Sequence, residues 1–269
     1  MSWRRYALAA AVLVALASPA IRAETASSGP AAKAWADLAR LPDWSGIWIP
    51  DQEDQNRQMV SNPPPWTPEA ARQIRALVAQ ERAGDPRGLF TDCLPEAMPS
   101  WMLINHNAME VLFTPGRVTL LGEADGNRLR RIYTDGRRHP DDPDLTFHGH
   151  SIGHWEGDAL VVDTTGVLPE ALIAISEAVG LPNNGDLHVV ERIRLAGPNT
   201  LDDDLEITAP HVLTGPWKTT RVFHRDRKDP DIVEGVCLQG AFSEAKDPDG
   251  NAVFRPLLHD KGIPVAPGR

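Results

Sequence analysis

The sequence predicts a mainly β protein, a single antiparallel β-barrel of about eight to ten strands with two helices on its outside. Three observations carry that reading. From residue 109 onward the chain runs in short apolar or β-branched segments. Turn chemistry separates them: Pro115-Gly116, Asp125-Gly126-Asn127, Asp135-Gly136, Glu156-Gly157-Asp158 and Gly197-Pro198-Asn199. Only two segments carry helical spacing.

In chain order, residues 24–40 read as a loose Ala- and Ser-rich lead-in, and Trp44-Ser45-Gly46-Ile47-Trp48 opens a first short aromatic strand. Residues 51–65, polar and then proline-rich, read as a loop. Thr67 as N-cap and Pro68 at the first helical position start a helix that runs to about residue 83 and stops at Gly84. Residues 85–107 read as a long irregular loop or lid carrying Cys93. Strands follow over 109–113, 118–121 and 129–134. Residues 168–180 predict the second helix, with Leu168, Leu172, Ile175 and Val179 on one face and Gly180 as its stop. Strands over 187–195, 201–208, 217–224 and 232–238 complete the meander, and 241–269 wraps the outside. The expected division is therefore a leader over 1–23 and one barrel domain over 24–269, made of an N-terminal part (24–107), the meander (108–240) and the C-terminal wrap (241–269).

The stretch HGHSIGHWEGDALVVDTTG, residues 148–166, concentrates the polar chemistry. With Gly157-Asp158 as a two-residue turn, Trp155 faces Leu160, His154 faces Val161, Ile152 faces Asp163 and His150 faces Thr165. Directly opposed residues share a face, so His148, His150, His154 and Asp163 are expected on one side and Trp155, Leu160 and Val162 on the other. A hairpin whose polar face is simply wet is the structural alternative.

The N-terminus reads as an export signal. Arg4 and Arg5 precede the apolar run of residues 7–16, which is too short to span a bilayer, and small residues follow. Cleavage after Ala23 leaves 24 basic residues against 37 acidic ones, a net charge near −13. That balance excludes nucleic acid and anionic lipid as expected partners. It leaves a small-molecule ligand or substrate, no stable membrane insertion, and a periplasmic or secreted location. Two cysteines in an oxidising compartment, Cys93 and Cys237, are expected to pair.

The motifs RRIYTDGR with His139-Pro140, GHSIGHWEGDALVVDTTG and LHVVERIR resemble a large, mostly uncharacterised group of exported bacterial proteins, from Trp44 to about Gly240. His154 stands where that group commonly has arginine, so the resemblance does not make His154 indispensable. The first-strand Gly46-x-Trp48 looks like the opening signature of lipocalin-type barrels, and a lipocalin-like or calycin-like barrel is what the resemblance implies.

Several residues are candidates for chemistry. Glu191 alternates onto the apolar face of Leu187, Val189, Ile193 and Leu195, where a carboxylate is costly unless paired. Arg131 and Arg221 are the expected structural partners, and a general base or metal ligand is the functional alternative. His150, Asp163, Glu191 and Tyr133 are the candidate catalytic groups, taken to point into the barrel. His148, His154, Arg131, His139, His188 and Trp155 are the candidate substrate contacts. Asp163 is expected to fix the tautomer of His150 and to raise its pKa. No cofactor is expected; a divalent metal on His148, His150, His154 and Asp163 is the minor alternative, since imidazole–carboxylate sets suit zinc, iron or copper. No G-x-S-x-G, P-loop, Rossmann fingerprint or H-E-x-x-H is present. The expectation is an exported acid–base enzyme (lyase, isomerase or hydrolase) acting on a small apolar or aromatic molecule inside the barrel. A non-catalytic, lipocalin-like carrier is the alternative.

Overall fold

The structure is a computed structural model that describes residues 34–85, 89, 93–104, 108–123, 128–176, 178–226, 231–232, 242–246 and 252–256. The leader and Cys237 lie outside the described residues, as does most of the strand expected over 232–238. Along the chain run α1 (Trp35–Leu38), β1 (Ile47–Pro50), α2 (Gln52–Ser61), α3 (Pro68–Arg82), α4 (Ser100–Leu103), β2 (Met109–Thr114), β3 (Arg117–Gly122), β4 (Leu129–Tyr133), β5 (His150–Glu156), β6 (Ala159–Thr165), β7 (Leu172–Ala174), β8 (Gly180–Pro182), β9 (His188–Gly197), β10 (Thr200–Thr208), β11 (Trp217–Asp226), β12 (Phe242–Lys246) and β13 (Ala252–Pro256).

Nine of these strands close a barrel in the order β1-β11-β10-β9-β6-β5-β4-β3-β2, with β1 joined to β2. The mainly β barrel class is therefore as expected and is compatible with a lipocalin-like barrel. Among the described residues no helix is long and apolar enough to cross a membrane.

The barrel is mixed rather than wholly antiparallel, because β4 pairs with β5 in parallel at Ile132–Ser151 and Tyr133–Ile152. A parallel pair needs a crossover that carries the chain back to the starting end. Residues 134–149 make that return and bring His139 against the outer wall of β5 and β6.

Three other expectations change. Residues 51–65 are not all loop: α2 occupies Gln52–Ser61, and the Asp51 carboxylate accepts from the Asp54 N–H at 2.9 Å as an N-cap. Residues 168–180 do not form a helix. Leu172–Ala174 pairs with Gly180–Pro182 as a small hairpin, and a Cβ on Gly180 would meet Ala174 Cα at 2.8 Å. The apolar residues at helical spacing are explained by burial on both sides of this hairpin, where Ile173 and Val179 are covered. The segment after Cys93 is no lid. Ala97, Met98, Ser100, Trp101, Met102, Leu103 and Ile104 are buried, and the Ser100 hydroxyl bonds the backbone of Leu172 and Ala174. Trp101 lies against Gly122, whose position admits no side chain because a Cβ would sit 2.7 Å from the indole.

The expected helix over 67–83 is present, with the Thr67 side chain accepting from the Ala70 N–H at 3.2 Å and Pro68 opening the first turn.

Candidate functional site

The register of the central hairpin is the one the turn predicts: His150–Thr165, Ile152–Asp163, His154–Val161 and Trp155–Leu160 are opposed. Its faces, however, are reversed relative to the barrel. Ser151, Trp155, Leu160, Val162 and Thr164 are buried in the lumen, so His150, Asp163 and Tyr133 project from the outer wall. Period two decides which residues share a face, and the apolar face takes the core. His148 departs from that face altogether. Gly149 has φ +66, in the left-handed region, which breaks the alternation between His148 and His150.

On the outer wall four strands and the 134–149 crossover meet. The His139 Nε2 and the His188 Nε2 each lie 3.0 Å from the same Asp163 Oδ1. His139 Nδ1 lies 2.8 Å from His150 Nδ1, and the Thr165 hydroxyl approaches His139 Nδ1 at 3.3 Å. His139 thus sits between His150 and Asp163, which do not bond each other directly as the sequence suggested. Tyr133 stacks on His150 with ring centroids 5.4 Å apart and planes 26° apart. The Arg137 guanidinium covers the Tyr133 ring at 3.8 Å, and Asp135 holds Arg137 through three contacts of 2.6–3.0 Å. The motif Tyr133-x-Asp135-x-Arg137-x-His139 therefore works as one unit.

The His150 pKa is lowered from its ordinary value, first by desolvation and then by the neighbouring His139 and Arg137. The expected rise is overturned: among the described residues no carboxylate touches the ring, and burial favours the neutral form. An Nδ1–Nδ1 contact requires one donor and one acceptor. With His150 Nδ1–H donating, His139 accepts at Nδ1 and donates from Nε2 to Asp163. His150 is then left with the Nε2 lone pair.

The remaining candidates scatter. Arg131 is exposed on the outer wall two residues before Tyr133. His154 is exposed at the far end of the hairpin and lies 3.2 Å from Glu156. Trp155 is a core residue, packed on Trp44 and Phe113 with centroids 5.3 and 5.9 Å away, and is no substrate contact on the site face. His148 lies edge-on to Trp101 at 5.5 Å, and neither ring nitrogen has a hydrogen-bond partner among the described residues. Because His148 and His154 lie away from His150 and Asp163, the metal alternative of His148, His150, His154 and Asp163 does not assemble. Among the described residues no group of three or more His, Cys, Asp or Glu could hold a metal ion.

Glu191 is fully buried in the lumen, and its partner is Arg130 rather than Arg131 or Arg221. Arg130 Nη1 donates to Glu191 Oε1 at 2.7 Å, and Nη2 donates to Oε2, to Thr164 Oγ1 at 3.1 Å and to Ser151 Oγ at 3.3 Å. Two more charged residues that the sequence reading missed share this space. Asp203 and Arg221 are directly opposed and wholly buried.

Following the registers from Arg221 to Asp203, Glu191, Thr164, Ser151 and Arg130, each step is level or displaced in one constant sense. Strands in a closed barrel tilt, so a constant stagger keeps these side chains at one height, as a single polar layer in an apolar lumen. Burial, reinforced by nearby Glu191, holds Asp203 well above the usual carboxylate range.

No protein-family model matches the chain, and no curated protein matches it. The chemistry of the site therefore rests on its geometry.

Proposed function

We propose that this protein is an exported enzyme of the bacterial group its motifs resemble, acting by acid–base chemistry on a small molecule as a lyase, isomerase or hydrolase. The observation that carries this reading is the chain of contacts His150–His139–Asp163, with His188 on the same carboxylate oxygen. When His150 Nε2 takes a proton from substrate, the proton on His150 Nδ1 passes to His139 Nδ1. The imidazolium formed on His139 then donates from Nε2 to Asp163. The depressed His150 pKa keeps that nitrogen a free base at neutral pH. Tyr133, stacked on the base, is the candidate hydroxyl donor. Glu191 leaves the catalytic set, since both of its oxygens are held by Arg130. The reacting face is the outer wall rather than the lumen. A carrier would offer an apolar lumen, whereas this one is crossed by the Arg130–Glu191 layer.

Turnover of 4-nitrophenyl acetate, an activated ester whose attack by water a positioned imidazole base accelerates, tests the assignment. His150→Gln is expected to lower the rate by about 10²-fold, the low end for general-base catalysis, and His139→Ala by at least tenfold, with circular dichroism unchanged. Equal rates in wild type and His150→Gln overturn it. The reading also includes removal of residues 1–23 and a Cys93–Cys237 bridge. Intact-mass analysis of the exported, unreduced protein is expected to show the leader gone and no alkylatable thiol; a retained leader or two reactive thiols overturns that part.

A further inference from the structure

Beside the histidine cluster the outer wall is hollowed. A trough of about 680 Å³ runs across β6, β9, β10 and β11, with Val161 and Val190 at the end nearest the cluster. Val190 is directly opposite Asp163 in the sheet, and Val161 is two residues from Asp163 on the same strand. Directly opposed side chains stand about 5 Å apart, so the trough opens onto Asp163, and His188 is the next outward residue on β9. Its volume falls within the range of small-molecule sites, about 300–1,000 Å³.

Both cations on its walls are already matched. Arg192 donates to Glu156 at 2.5 Å, and Lys218 lies 3.0 Å from Glu206. Asp204 accepts from the Thr220 hydroxyl at 2.7 Å and has Arg194 at 3.7 Å. The Asn62 amide bonds the Lys218 carbonyl at 2.8 Å and closes one side. An anionic ligand would shed water without finding an unpaired cation. An uncharged one meets aliphatic surface between polar walls.

We propose that this trough seats the body of the substrate, and that the substrate is an electrically neutral, largely apolar molecule delivered end-on past Asp163 and His188 into the histidine cluster. The proposal rests on the acid–base reading only in calling the occupant a substrate.

The test uses N-phenyl-1-naphthylamine, a neutral fluorophore, against its sulfonated anionic relative 1-anilinonaphthalene-8-sulfonate. The neutral probe is expected to bind at least tenfold more tightly than the anion and to shift the His188 NMR signals while leaving those of His224 in place. Val190→Lys, which fills the end of the trough nearest the cluster with a charged side chain held between Asp163 and Glu206, is expected to weaken the neutral probe at least tenfold. Val161→Lys on the neighbouring strand repeats the test should the first variant fold poorly. Equal affinity for the two probes, an unmoved His188, or full binding by both lysine variants overturns the proposal. His150→Gln separates the two readings, because it is expected to lose about 10²-fold in turnover and to bind the neutral probe as wild type does. Probe binding at His188 with no turnover in any variant leaves the trough standing and removes the catalytic reading.

Discussion

Glu191→Leu is expected to destabilise the fold by about 3–5 kcal/mol, the usual cost of removing one partner from a buried ion pair. Arg130 would be left charged in the lumen, bonded to the hydroxyls of Ser151 and Thr164 and with Asp203 nearby in the same layer. Arg130→Met alone strands the Glu191 carboxylate and is expected to cost a similar amount. The double variant Arg130→Met/Glu191→Leu is expected to recover most of the loss, since apolar pairs of similar volume often match a buried salt bridge. Urea unfolding at pH 7 of the four proteins completes the cycle. A single-variant loss below about 1 kcal/mol would mean that the pair is hydrated or that the layer rearranges.

That layer shows what was legible in the sequence and what was not. Glu191 stood out because it interrupts a strict apolar alternation. The same signal marks Asp203, which alternates with Leu201, Leu205 and Ile207 in Thr200–Thr208, and it was overlooked. Arg130 gave no such signal. In LRRIY both faces carry one arginine, so only the closed barrel decides that Arg130 and Ile132 turn inward while Arg131 and Tyr133 turn out.

The site follows a similar logic. Turn chemistry at Gly157-Asp158 was enough to set every opposed pair in the hairpin, because a two-residue turn leaves no freedom in register. It says nothing about which face the barrel covers, and a lumen lined by the polar face would leave Trp155, Leu160 and Val162 in water. The central position of His139 was not readable from local spacing. It depends on a parallel β4–β5 pairing and on the crossover that this pairing imposes. The false helix over 168–180 has a plainer cause, since a buried hairpin places apolar residues on both faces and imitates helical spacing.

Acid is expected to loosen the protein through His148. Its imidazole is buried against Trp101, and burial, with Arg130 and Arg128 nearby, pushes its pKa from 6.5 down to about 4. A histidine whose folded-state pKa is depressed is protonated first in the unfolded chain. Its contribution is therefore whole above pH 6.5 and is lost as pH falls from 6.5 towards 4, by up to about 3 kcal/mol at roughly 1.4 kcal/mol per unit. Asp203 acts with the opposite sign. Its raised folded-state pKa gives a contribution that is full below its unfolded value and is lost as pH rises through the folded one. Acidification thus helps the fold at Asp203 and harms it at His148 and at His150, whose pKa is also depressed, so the comparison with a variant isolates the His148 part. His148→Phe keeps an aromatic ring against Trp101 and removes the titration. Urea unfolding of wild type and His148→Phe at half-unit steps from pH 7 to 4 is expected to show the variant losing markedly less stability between pH 6.5 and 4. Parallel profiles over that range would mean that His148 is not held neutral by burial, and that its ring meets water or an acceptor in the folded protein.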